Sequence, residues 1–122
     1  MKLLLIDDDA FLRDMYATKF TENGDTVSTA DSGAAGLQII KENQDLDVIL
    51  LDMIMPGMSG VELLQAIQNE FPKLKAKRIV LSNQGQAEDV KEATEAGAVG
   101  YIIKAETIPS EVVKKVEAYS KK

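Results

Sequence analysis

A chain of 122 residues, 45% apolar and only 5% aromatic, has the size and make-up of one globular domain built on aliphatic packing. It contains no cysteine and no histidine, which excludes disulfides, thiolate and imidazole metal sites, cysteine nucleophiles and imidazole bases, and leaves carboxylates, lysine and hydroxyls for any chemistry. With 20 Asp and Glu against 14 Lys and Arg the net charge is -6, so direct binding to nucleic acid, which needs a basic footprint, is disfavoured.

The opening Met1-Lys2-Leu3-Leu4-Leu5-Ile6 places one positive charge before an apolar run, but the run is too short for a secretory signal and three aspartates follow at once. No stretch approaches the roughly 18 apolar residues of a membrane span. The expected location is the cytoplasm, without membrane contact. Leu3 to Ile6 reads instead as a strand buried on both faces, because its apolar residues are continuous rather than alternating. Phe11, Leu12, Met15, Tyr16 and Phe20 then form one stripe of a first helix ending near Asn23-Gly24. Thr26 to Ala30 is poorer in apolar residues and suits an edge strand. Ala34, Leu37, Ile40 and Lys41 mark a second helix, and Val48 to Leu51 a second continuous strand. Val61, Leu64, Ile67 and Phe71 mark a third helix closed by Pro72, and Ile79 to Leu81 another strand. Val90, Ala93 and Ala96 mark a fourth helix, with Gly97 where a left-handed cap is wanted. Tyr101 to Ile103 is the last strand. Val112, Val113, Val116 and Tyr119 form the last helix, opened by Ile108-Pro109 with proline in a first turn.

Strands alternating with helices of this length imply right-handed crossovers and a parallel sheet, a (βα)₅ α/β domain spanning residues 1–122 without linker or repeat. In open sheets of this kind function gathers at the carboxyl ends of the strands. There the sequence places Asp7-Asp8-Asp9, Asp52, Ser82-Asn83 and Lys104. Each has an ordinary structural reading. Asp9 could be a helix N-cap, Asp52 could open a turn built on Pro56, Gly57 and Gly60, and Ser82 could cap the fourth helix. Lys104 could be a solvated charge, and Tyr101 a half-buried strand aromatic. The combination says more. Asp7, Asp8 and Asp52 on neighbouring strand ends would repel one another, and a hard divalent cation such as Mg²⁺ relieves that conflict. Lys104 and Ser82 complete a set able to hold a phosphoryl group on a carboxylate.

These residues resemble the response-regulator receiver domains over the whole chain. The matching pieces are Leu-Leu-Ile-Asp7-Asp8-Asp9, Asp52-Met-Ile-Met-Pro56-Gly-Met-Ser-Gly60, Ile-Val-Leu-Ser82 and Gly-Tyr101-Ile-Ile-Lys104, in order and each at a strand end. The resemblance implies a flavodoxin-like, doubly wound sheet with strand order 2-1-3-4-5. It implies that Asp52 accepts a phosphoryl group from a sensor histidine kinase or a phosphotransfer protein, as a carboxylate nucleophile. It implies Mg²⁺ held by Asp8, Asp52 and the backbone carbonyl of Ile54, with Asp7 acting largely through water. Lys104 is similar to the lysine that contacts the phosphoryl oxygens, Ser82 to the hydroxyl that moves towards them, and Tyr101 to the aromatic whose rotamer reports that move. The switched surface implied is the fourth helix, fifth strand and fifth helix, where an output protein or a removed effector domain would bind. Such a domain is a signalling switch that catalyses only its own phosphorylation and dephosphorylation. The cognate kinase, the output, a phosphorylation-dependent homodimer, the phosphoryl lifetime and membership of a longer regulator are left open.

Five positions depart from or vary within that pattern. Ala105 follows Lys104 where the family commonly has a cis proline; a cis bond to alanine costs ~2.5–4 kcal/mol, so a trans or visibly strained bond is expected, with consequences for the reach of Lys104. Asn83 is larger than the small residue often found there and would narrow access to Asp52. Asp9, Ile54 and Gln84 occupy variable positions that influence phosphoryl lifetime in the family. Two rivals remain. A phosphorylation-independent interaction module on the same fold would bind its partner without regard to Mg²⁺ or phosphoryl mimics. A small haloacid-dehalogenase-type phosphatase would use the Asp7-x-Asp9 spacing with Asp7 as nucleophile, and leaves the Asp52 loop unexplained.

Overall fold

In the computed structural model, which describes residues Met1 to Lys122, strands and helices alternate from end to end. They are β1 (Lys2–Ile6), α1 (Ala10–Glu22), β2 (Thr26–Ala30), α2 (Gly33–Glu42), β3 (Val48–Leu51), α3 (Gly60–Glu70), β4 (Lys77–Ser82), α4 (Ala87–Glu95), β5 (Ala98–Ile103) and α5 (Pro109–Ser120), with a 3-10 turn at Lys104–Glu106. All strand pairs are parallel, in the order β2-β1-β3-β4-β5. The chain thus leaves β1 in one direction to form β2 and returns past it to form β3, so the order reverses between β1 and β3. No helix is long and apolar enough to cross a membrane.

The period of two along each strand divides the aliphatic residues between two cores. Leu4, Ile6, Ile49, Leu51 and Val80 face α2, α3 and α4, where they pack with Ile40, Leu63, Leu64, Ile67 and Ala93. Leu3, Leu5, Val48, Leu50, Ile79, Leu81 and Ile102 face α1 and α5, against Tyr16, Phe20, Val112, Val113 and Val116. Helix ends are satisfied locally. Asp9 caps α1 by accepting from Leu12 N–H at 3.0 Å, and Ser59 caps α3 while Glu62 reaches back to Ser59 N–H. Pro109 lies in the first turn of α5, and Gly97, with φ +110, follows α4.

Three expectations are corrected. Phe11 is not part of the buried stripe of α1; it is 77% exposed, and the buried residues of that helix are Tyr16 and Phe20. The inward face of α2 is Gly33, Gly36 and Ile40 rather than Ala34 and Lys41, which are exposed. Gly36 lies so close to β1 that an added Cβ would sit 2.5 Å from Ile6 Cδ1, so a small residue at an apolar position escaped a pattern read from large ones. Ser82 does not cap α4: that helix starts only at Ala87, after a loop, and Gln86 holds the cap position.

Candidate functional site

The sheet ladder continues one residue past β1 and β3. Asp7 N–H donates to Ala30 carbonyl at 3.1 Å, and Asp52 N–H donates to Ile6 carbonyl at 3.2 Å. Register alone therefore sets Asp7 and Asp52 beside each other at the point where strand order reverses. Asp8 follows on the exposed side, whereas Asp7 is 1% and Asp52 8% exposed. Carboxylate oxygens of Asp7, Asp8 and Asp52 lie within 4.8 Å of one another.

One cation answers this cluster from within the chain. Lys104, just beyond β5, places Nζ 2.7 Å from Asp7 Oδ2 and 2.9 Å from Asp52 Oδ2, and its side chain is almost wholly buried. It is not the solvated charge considered above. The Lys104–Ala105 bond is trans, there being no cis peptide in the chain, and the 3-10 turn carries the lysine to both carboxylates, so alanine at 105 does not shorten its reach. Burial pulls the Lys104 pKa down, but the hydrogen bonds to Asp7 and Asp52 and their charges outweigh it, and the net shift is upwards.

Asp7 has little freedom. Its Oδ1 accepts from Asp9 N–H at 2.9 Å, and its carbonyl accepts from Arg13 Nη1 at 2.9 Å. So enclosed, it is poorly presented as a phosphatase nucleophile. Asp52 Oδ1 accepts only from Ile54 N–H, at 3.3 Å, while the Ile54 side chain is 64% exposed at the mouth of the loop. Three carboxylates against one lysine leave negative charge in excess, and all the donors are hard oxygens. That set fits Mg²⁺ better than a softer metal.

Ser82, at the end of β4, is buried; its Oγ accepts from Gln84 N–H at 3.2 Å. Tyr101 on β5 is half-buried, and its hydroxyl donates to the Gln84 carbonyl. Burial first, then the charges of Asp89 and Asp52, push the Tyr101 hydroxyl up to about 12, with a Ser82 hydrogen bond opposing them. Asn83 is exposed and lines, with Tyr16, Lys104, Ala105 and Thr107, a cavity of about 560 Å³ between α1 and the start of α5. Every residue singled out in the sequence for this rim is thus at the carboxyl edge of the sheet. Missed were Arg13, which steadies Asp7, and Asp89, which accepts from the Gln84 side chain at 2.8 Å. Neither carries a sequence signal, since a charged residue on a helix is usually only solvated.

The chain is similar to known proteins in sequence and in fold. The model of the "Response regulator receiver domain" family matches residues 3–117. The chain is 34% identical over 109 residues to chemotaxis protein CheY of Halobacterium salinarum, covering 89% of this chain and 88% of that one. It is 33% identical over 102 residues to the transcriptional regulatory protein GlrR of Escherichia coli, covering 84% of this chain but only 22% of that protein's length. Among solved structures, chemotaxis protein CheY4 of Vibrio cholerae superposes with a TM-score of 0.89 at 26% identity, over 97% of each chain.

Proposed function

This chain belongs to the response regulator receiver family of two-component signalling, whose function is to accept a phosphoryl group, and we propose that Asp52 is the residue that accepts it. The observation that supports the assignment is the arrangement of Asp7, Asp8 and Asp52 around a common space with Lys104 bonded to two of them. We take residues 1–122 as one receiver domain, working in the cytoplasm as a signalling switch rather than as an enzyme acting on other molecules.

In the proposed reaction a carboxylate oxygen of Asp52 attacks the phosphorus of a phosphohistidine on a kinase or phosphotransfer protein. The O–P bond forms as the N–P bond breaks, and the imidazole leaves with its electron pair and takes up a proton. Asp52 suits the nucleophile's role because its two hydrogen bonds, from Ile54 N–H at 3.3 Å and Lys104 Nζ at 2.9 Å, are longer than the two that hold Asp7, at 2.9 and 2.7 Å. Asp8, Asp52 and the Ile54 carbonyl would hold Mg²⁺, with Asp7 acting through water; bound there, the ion would neutralise charge on the transferring phosphoryl oxygens. Lys104 turns its ammonium from the Asp52 carboxylate to the new phosphoryl oxygens, and Ser82 donates its hydroxyl to another. Arg13 keeps the Asp7 backbone in place throughout.

The phosphoryl group adds about two negative charges at this rim. Drawing Ser82 and Lys104 towards it biases the loops after β4 and β5, and with them the α4-β5-α5 surface that an output protein or effector domain would read. The acidic balance of the chain argues against nucleic acid as the direct partner.

Intact mass after incubation with acetyl phosphate tests the reading. One base-labile phosphoryl group should appear only with Mg²⁺ and be absent in Asp52→Asn. No gain with Mg²⁺, and no binding of beryllofluoride, would overturn it in favour of a phosphorylation-independent module.

A further inference from the structure

The segment after α3 is the most basic stretch of an acidic chain. Lys73, Lys75, Lys77 and Arg78 fall close together, and no carboxylate side chain occurs between Glu70 and Glu88. Leu74 and Ala76 turn inward to pack with the core on the α3 side, while Lys73 and Lys75 are exposed and Lys77 is half-buried. None of the four cations is in an ion pair.

Beside this segment lies its electrostatic opposite. Gln65, Gln68 and Asn69 of α3 and Glu92 and Glu95 of α4 line an open groove of about 590 Å³ that has no cation in its walls. Both carboxylates are exposed, and neither is in an ion pair. Carboxylates and amide carbonyls are acceptors suited to ammonium groups. Groove and lysines are neighbours because Gln68 and Asn69 lie in the last turn of α3, and the chain leaves that helix directly into Phe71-Pro72-Lys73.

A partner that answers both features must offer carboxylates to the lysines and ammonium groups to the groove, side by side. A purely acidic partner, nucleic acid included, answers only the lysines and is repelled by Glu92 and Glu95. A second copy of this chain answers both. We infer that two copies dock about a two-fold axis, each placing Lys73 and Lys75 in the α3–α4 groove of the other. Such a pairing makes every contact twice and closes on itself, whereas a head-to-tail arrangement leaves one groove and one basic segment open. The lysines lie before and at the amino end of β4, away from Ser82 at its carboxyl end. The dimer therefore needs no phosphoryl group and does not depend on the role proposed for Asp52.

Sedimentation velocity of the unphosphorylated chain over a concentration series tests this. At an ionic strength of about 0.01 M, where charges are felt over about 30 Å, the mass should rise from monomer to dimer and no further. At about 1 M, where that length is about 3 Å, it should fall back to the monomer. Lys73→Glu with Lys75→Glu, and separately Glu92→Lys with Glu95→Lys, should each weaken the dimer roughly tenfold or more. An equimolar mixture of these two variants should recover it, because each then carries the complement of the other, and recovery also shows that both are folded. Lys114→Glu with Lys115→Glu, at exposed positions of α5, makes the same change of net charge as the first variant and should leave the dimer largely in place. A monomer at every concentration in low salt, a dimer that resists high salt, an equal loss in the α5 variant, no recovery on mixing, or a mass beyond the dimer would overturn the inference.

Discussion

Two cations, Lys104 just beyond β5 and Arg78 on β4, stand at opposite ends of the sheet, and they are treated in opposite ways. Lys104, at the carboxyl end, meets two carboxylates and its pKa is raised despite burial. Arg78, near the amino end of β4, has Nε and Nη2 buried with no protein partner, and burial alone lowers its pKa. Those two nitrogens form a single edge of the guanidinium, so one whole bidentate face goes unused. At the carboxyl end opposed charges hold one another in a form that can be rearranged. At the amino end a charge is partly buried with nothing set against it. A charged side chain inside a fold is therefore informative only together with what answers it.

Substitutions that remove the two charges should move stability in opposite directions. Lys104→Met strands two buried carboxylates and should lower stability by about 3–5 kcal/mol in the presence of a chelator. Added Mg²⁺ should restore part of the loss, and urea midpoints with and without the metal would show it; a variant as stable as the parent would break the comparison. Arg78→Met removes a cation that has no partner and should raise the urea midpoint, by about 1 kcal/mol in stability, independently of Mg²⁺. A loss there would mean that the guanidinium is answered after all.

Alkaline titration sharpens the same contrast at the Tyr101 hydroxyl. Its folded pKa of about 12 exceeds the ordinary 10.0, so between these values the unfolded chain gives up a proton that the folded one keeps. Its contribution to stability is complete below pH 10 and is lost as the pH rises towards about 12. Burial raises the Tyr16 hydroxyl as well, so tyrosinate absorbance of the folded protein should show Tyr101 as its last step, near pH 12, and that step should vanish in Tyr101→Phe. The smallest effect belongs to the exposed pair Lys2–Asp45 at the amino end, where solvent and salt screen both partners. Lys2→Met should leave the unfolding midpoint unchanged within error at moderate ionic strength.

The rim was legible because it depends on strand ends. Continuous apolar runs located β1, β3 and β4, and the polar residues that end them, Asp7, Asp52 and Ser82, converge wherever such strands lie side by side. What depends on a neighbour's shape or a side chain's direction was not legible. Gly33 and Gly36 lie on the inward face of α2 because Met58 crowds the first and Ile6 of β1 the second, and no scale of apolar character marks a glycine for that role. Phe11 looks like core by chemistry and is surface by position. Arg13 and Asp89 read as solvated polar residues until the loops place their partners. Ala105 could be weighed only through the bond it forms, and that bond is trans.

The sheet is also a partition. Leu63 and Ile67 of α3 pack on one side of it and Val112 and Val116 of α5 on the other, in two cores. Changes confined to one side leave the partners of the other side untouched, so their free energies should sum rather than interact. For inheritance and for design alike, the molecule then behaves as two smaller problems: a drift in the packing of α3 needs no answer from α5, and a combinatorial library can be screened as two separate halves and joined afterwards.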